Sequence, residues 1–368
     1  MHRNSDSPIE SSLSEVLAWV LADRFDSDEC TTAISELVRN VPFESMERLC
    51  SALLVELHRS SAKPIRLRLV LQNIATRLLV EQRNDHRDLD SSKPSLEVEI
   101  LLQLYFRVAS IDETSSAHVL QCLAAQADKQ SLEAIVRCLS DHPPQEWKSV
   151  VLGLSPLWSA HGEVLRDFFE RADQLLEQAV AMPVLLDLAN HAVRSGRLNE
   201  HPLATQAEML ASLLKQLVAR LEQLQETPTL FGDSVEQIQK VLEESVALAV
   251  SLCDALGLIG NLQSNVALLQ AMQLSHRRIQ TEAAAALVRL GDAEGKQRLI
   301  ELAADPVARL RVIQYAEELD LAHEIDQQYR YPLALAESEL VAWLSSPQQF
   351  GLPPSDIQRV DSRPLYWP

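Results

Sequence analysis

The feature that most constrains this chain is the spacing of its apolar residues, which is helical almost from end to end. In one clear stretch Ile279, Ala283, Ala286, Leu287 and Leu290 fall at i, i+4, i+7, i+8 and i+11, one face of an α-helix. Arg278, Thr281, Glu282, Ala285 and Arg289 fall away from that face, so the spacing predicts an outer surface there. Gly291 is a natural stop because it tolerates the left-handed conformation, and Asp292 can cap the helix that follows. That second helix carries Leu299, Ile300, Leu302 and Ala303 inward and stops near Asp305-Pro306, a cap and a helix opener. Glycine, which strand-and-turn folds need at φ > 0, is absent before Gly153. The expected fold class is therefore all-α.

The same spacing predicts helices near 12–24, 31–40, 43–59 and 64–83, then near 96–109, 114–126, 131–140 and 145–153. It also predicts long helices near 163–195, 203–226 and 234–257, with Pro183 kinking or splitting the first. The pattern also repeats. ALGLIGN (Ala255 to Asn261) and ALVRLGD (Ala286 to Asp292) superpose at an offset of 31 residues, and Leu268-Leu269 then falls on Leu299-Ile300. A fainter copy spans Asp128 to Asp141. A period of this length is the signature of stacked helical hairpins.

The stretch ALGLIGN…RRIQTEAAAALVRLGD…LIELAADP…LRVIQYAEEL resembles tandem HEAT repeats of the short form named after phycobilisome lyase. Residues Ile279 to Leu287 fit that form's Val-Arg-x-x-Ala-Ala-x-Ala-Leu pattern, with Gln280 in place of the Arg, and Arg311 keeps the Arg in a degenerate copy. The resemblance implies an α-α superhelix, a HEAT-like solenoid of antiparallel helix pairs. At roughly 35–45 residues a pair, the chain would hold about eight or nine. The expected organisation is a flexible segment over 1–14, degenerate helical hairpins over 15–250 and clear repeats over 251–325. A C-terminal helix and Pro-rich tail follow over 326–368 and resemble the start of an incomplete module.

The resemblance implies little about activity, because repeat scaffolds host many functions. A non-catalytic scaffold that binds protein partners through its helical surface is the leading expectation. A lyase or chaperone acting on a tetrapyrrole-bearing protein, and a nucleic-acid-binding solenoid, are the alternatives. Net charge bears on the last: 33 Lys and Arg against 52 Asp and Glu give −19, which repels phosphate backbones and anionic membrane surfaces. No nucleic-acid or membrane partner is expected.

Arg277, Arg278, Arg309 and Arg311 cluster at the starts of the second helices of adjacent repeats. One reading makes them a ladder that anchors an acidic or phosphorylated partner. The simpler reading is an internal ladder, with Arg311 on a turn aspartate such as Asp305 and with Arg277 and Arg278 free to reach outward. His118 and Cys122 share a helix face at i, i+4, but a metal site needs three or four ligands and no second pair lies nearby. A surface histidine beside a buried thiol is the simpler expectation. No HExxH, phosphate-loop or GxSxG motif occurs, and no cofactor or metal is expected. The five cysteines, Cys30, Cys50, Cys122, Cys138 and Cys253, are odd in number and widely spaced. Free thiols in a reducing compartment are the simplest account, and with no apolar leader the expected location is cytoplasmic.

Overall fold

The computed structural model describes residues 38–59, 64–84 and 95–344, together with Thr32, Ser35 and Glu36. The expected segment 1–14, the helix at 12–24, Cys30 and the tail beyond residue 344 lie outside the described residues. Among the described residues the fold is all-α, without strands. None of its helices is long and apolar enough to cross a membrane. The chain divides into two compact units, Met1–Leu203 and Ala204–Pro368, and residues 251–325, where repeats are expected, fall in the second.

The helices of the first unit are α1 (Met46–Arg59), α2 (Pro64–Asn84), α3 (Val98–Ala109), α4 (Glu113–Gln126), α5 (Lys129–Asp141), α6 (Trp147–Leu154), α7 (Gly162–Phe169) and α8 (Ala181–Arg194). Each packs chiefly on the next helix or the next but one: α1 on α3, α2 on α4, α3 on α4 and α5, α4 on α5 and α6, α5 on α7, and α6 on α8. Helix α2 buries Leu67, Val70, Leu71, Ile74 and Leu78, and α4 buries Val119, Leu120 and Leu123. Each such leucine contributes about 2 kcal/mol by leaving water. The single helix expected over 163–195 is instead broken into α7, a 3₁₀ turn at Asp173–Glu177 and α8. Pro183 does not kink a helix. It sits in the first turn of α8, where its missing N–H leaves no bond unmade.

In the second unit the helices are α9 (Ala207–Glu226), α10 (Val235–Ile259), α11 (Asn265–Gln273), α12 (Arg277–Arg289), α13 (Ala293–Leu302), α14 (Arg309–Glu318) and α15 (Pro332–Leu344). The same rule of neighbours holds: α9 on α10 and α11, α10 and α11 on α12, α12 on α13 and α14, α13 on α14, and α14 on α15.

Helix ends follow a common plan. Gly260 and Gly291 sit at φ 77° and 79°. The residues after them, Asn261 and Asp292, then cap the next helical segment. Asp292 accepts from the N–H groups of Glu294 and Gly295 at 2.9 and 3.0 Å, satisfying two donors that the helix itself leaves unpaired. The fainter upstream copy uses the same device: Ala127 is left-handed at φ 56°, and Asp128 accepts from Gln130 and Ser131.

One expectation about α12 is overturned. Ile279 to Leu287 are all buried, including Thr281, Glu282 and Ala285, which the spacing placed on an outer face. With α10, α11, α13 and α14 all against it, α12 has no outer face along these residues.

Candidate functional site

Three of the four arginines expected to form a ladder, Arg277, Arg309 and Arg311, meet acidic partners, but the pairing differs from the expected one. Arg277, at the start of α12, pairs through Nε with Asp305 of the turn after α13 and donates through Nη1 to Gln280 at 2.8 Å. Arg311 does not take a turn aspartate. Its Nε donates to Glu282 Oε1 at 2.9 Å and its Nη2 to the Tyr315 hydroxyl at 2.7 Å, and Tyr315 in turn donates to the other oxygen of Glu282. Glu282 is therefore a buried carboxylate satisfied from two sides, the condition under which burying it is tolerable.

This cluster runs across α10, α12 and α14, alternate helices in the chain. Arg289 of α12 pairs with Glu318 of α14 at 2.7 Å and lies 3.6 Å from Asp254 of α10, an ion pair without a hydrogen bond. The guanidinium carbons of Arg289 and Arg311 lie 5.2 and 4.4 Å from the centroid of the Tyr315 ring, within cation–π range. The Glu282–Arg311 and Arg289–Glu318 links each span 29 residues and form two rungs between α12 and α14. Beside them the Cys253 thiol is pushed well up, first by burial and then by the Glu282 and Asp254 carboxylates, so it is an unreactive core group.

Arg309 is a buried clamp. It is 3% exposed and donates to the carbonyls of Ala303, Ala304 and Ala334, to Ser338 and to Glu337, bolting α14 to the turn before it and to α15. It cannot face a partner. Of the four predicted residues only Arg278 is exposed without an ion pair among the described residues.

Arginine has the same use in the first unit, a pattern that sequence reasoning missed. Arg77 donates to Val38 and Val41 carbonyls, Arg107 to that of Leu57, and Arg197 to that of Trp158. Arg68 makes a fork on Asp112, at 3.2 and 2.7 Å, while Asp112 caps α4. Burial pushes the Asp112 carboxyl up, but its bonds from Arg68 and Ser115 more than offset this and hold it below the usual range.

His118 is buried, not a surface residue. Its Nδ1 lies 3.2 Å from Gln121 Oε1, and burial lowers its pKa, favouring the neutral ring. No group of three or more potential ligands that could hold a metal ion occurs among the described residues. A cleft of about 200 Å³ between the start of α9 and the turn before α11 is lined by Glu208, Ser212, Lys215 and Ser264.

Compared with known proteins, the chain matches no family model, no curated protein and no solved structure.

Proposed function

We propose that this chain is a HEAT-like helical scaffold, a non-catalytic protein whose stacked antiparallel helix pairs bind another protein. The observation that carries this reading is the series packing within each unit, each helix on its successor and the one after. Helices so arranged need only local partners, and they leave a run of outer surfaces for contact. Three features support it. The left-handed stop followed by a polar cap recurs at Ala127-Asp128, Gly260-Asn261 and Gly291-Asp292. Two ion pairs, Glu282–Arg311 and Arg289–Glu318, tie α12 to α14. Glu282, Arg289, Arg309 and Arg311 are committed to ion pairs between helices or to backbone carbonyls.

The test is capture from an extract of the native host, followed by reconstitution from purified components. A defined protein retained at fixed stoichiometry supports the scaffold. Retention of nucleic acid, or of a free tetrapyrrole, overturns it in favour of the corresponding alternative.

A further inference from the structure

The cleft beside α9 differs from the rest of the second unit in what its polar groups touch. Arg277, Arg289, Arg309 and Arg311 each have a carboxylate partner. The side chains of Glu208, Ser212 and Lys215, which line the cleft from α9, have neither an ion pair nor a hydrogen bond among the described residues. With Ala211 they fall at i, i+3, i+4 and i+7, one face of the helix. Ala211 is buried and small, so the space between the two charged ends stays open. The facing wall is the turn before α11, with Gln263 and Ser264. Ser264 is 1% exposed, and its Oγ is buried without a hydrogen-bond partner. A buried hydroxyl left so costs about 1–3 kcal/mol. Ser264 lines the cleft, where a polar atom of a ligand would satisfy it.

The charges at the two ends name the ligand. Glu208 and Lys215 stand two turns apart on α9, about 10 Å along its axis, so they do not pair with each other. A free α-amino acid spans such a gap. Its own ammonium and carboxylate lie roughly 3 Å apart, and a charge-assisted hydrogen bond of about 2.8 Å at each end brings the total to about 9 Å. An inorganic anion alone is repelled by Glu208, and a cation alone by Lys215. The volume sets the size. At about 200 Å³ the cleft is too small for a tetrapyrrole or a nucleotide. With a water-sized atom taking about 30 Å³, it holds roughly seven non-hydrogen atoms, the size of alanine or serine. We infer that the cleft between α9 and the turn before α11 binds a small free α-amino acid, with its ammonium on Glu208 and its carboxylate on Lys215 and Ser212. Ser264 and Gln263 face the ligand's side chain, which favours one with a hydroxyl. The site stands apart from the scaffold reading: capture of a protein partner neither supports nor removes it.

Isothermal titration calorimetry of the full-length chain reads the site, with glycine, L-alanine and L-serine as probes and the N-acetyl amide of each as its uncharged twin. At least one free amino acid is expected to bind, and its twin at least roughly tenfold more weakly. Glu208→Gln and Lys215→Met should each weaken binding about tenfold. Both replace exposed, unpaired residues, so an unaltered melt confirms the fold. Ser264→Ala should weaken L-serine more than L-alanine, without loss of stability, because it removes a buried hydroxyl that has no partner. No binding by any of the three probes, equal binding of the twins, or affinity unchanged in both charge variants overturns the inference. Acetate or ethylamine binding as tightly as the free amino acids would make the cleft a single-charge site, which also overturns it.

Discussion

Gly257→Ala should destabilise this protein, against the ordinary rule for a glycine inside a helix. Gly257 lies in the last turns of α10 with a helical neighbour at close range. Replacing such a glycine by alanine normally stabilises a helix by about 1 kcal/mol, because alanine loses less backbone entropy on folding. Here a Cβ at 257 would sit 2.7 Å from the Cα of Ala286 and 2.8 Å from its Cβ. Both atoms belong to the α10–α12 seam, and a backbone Cα cannot swing aside as a side chain can. The two helices must separate, or the new methyl must be accommodated by strain, at a cost near the upper end of the 1–3 kcal/mol range for overpacking. Subtracting the propensity gain leaves a net loss of about 1–2 kcal/mol. Urea denaturation at neutral pH reads this directly, and each kcal/mol lowers the midpoint of a thermal melt by roughly 2–4 °C in a unit of this size. A variant as stable as the parent, or more so, would refute the close-packed seam and with it the placement of the alanine face.

Arg309→Met keeps much of the side-chain bulk but strips the donors from three carbonyls and removes the ion pair to Glu337, at a cost of about 3 kcal/mol, with hydrogen exchange rising first in α15. Arg278→Glu, at an exposed position, should leave the melt unchanged. Asp112 titrates in the folded protein below its unfolded value, so its contribution is fully present above the ordinary carboxylate range, about pH 4, and is lost as pH falls through the depressed value. Arg68→Met should therefore flatten the acid limb of a stability–pH curve, and an unchanged limb would remove the pair from the account. Cys50, whose thiol burial pushes up to about 12, together with Cys122, Cys138 and Cys253, should resist a thiol reagent in the native protein and react once it is denatured. Missing thiols after denaturation without reductant would reveal disulfides.

What could be read in advance was local. Gly291 and Asp292 announce a stop and a cap because the chemistry of each is its own, and Gly260-Asn261 follows by the 31-residue offset. Ala127 could not be recognised as a left-handed stop, since nothing in an alanine side chain favours that conformation, and only its alignment with the glycine positions points to it. The phase of α12 was right for Ile279 and Ala283 and wrong for Ala285. Periodicity locates the most apolar face, but it does not count how many helices will surround a thin, alanine-rich one. The ladder was foreseen as a cluster of arginines near adjacent helix starts. Its pairing was not, because Asp305 and Glu282 are both within a long arginine's reach and the choice depends on which carboxylate the neighbouring helices bury. The apolar spacing at 333, 336, 340 and 343 of α15 describes an outward face and a buried face equally well. Only the burial of Ser338 and Val341 on the other side decides between them.

The most direct test of a non-catalytic scaffold is the intact mass of both proteins, recorded before and after the purified chain is incubated with the protein it captures from the host. The scaffold account predicts a reversible complex of fixed stoichiometry with neither mass changed. A mass shift in the partner, through gain or loss of a bound group, would contradict it and make the chain an enzyme.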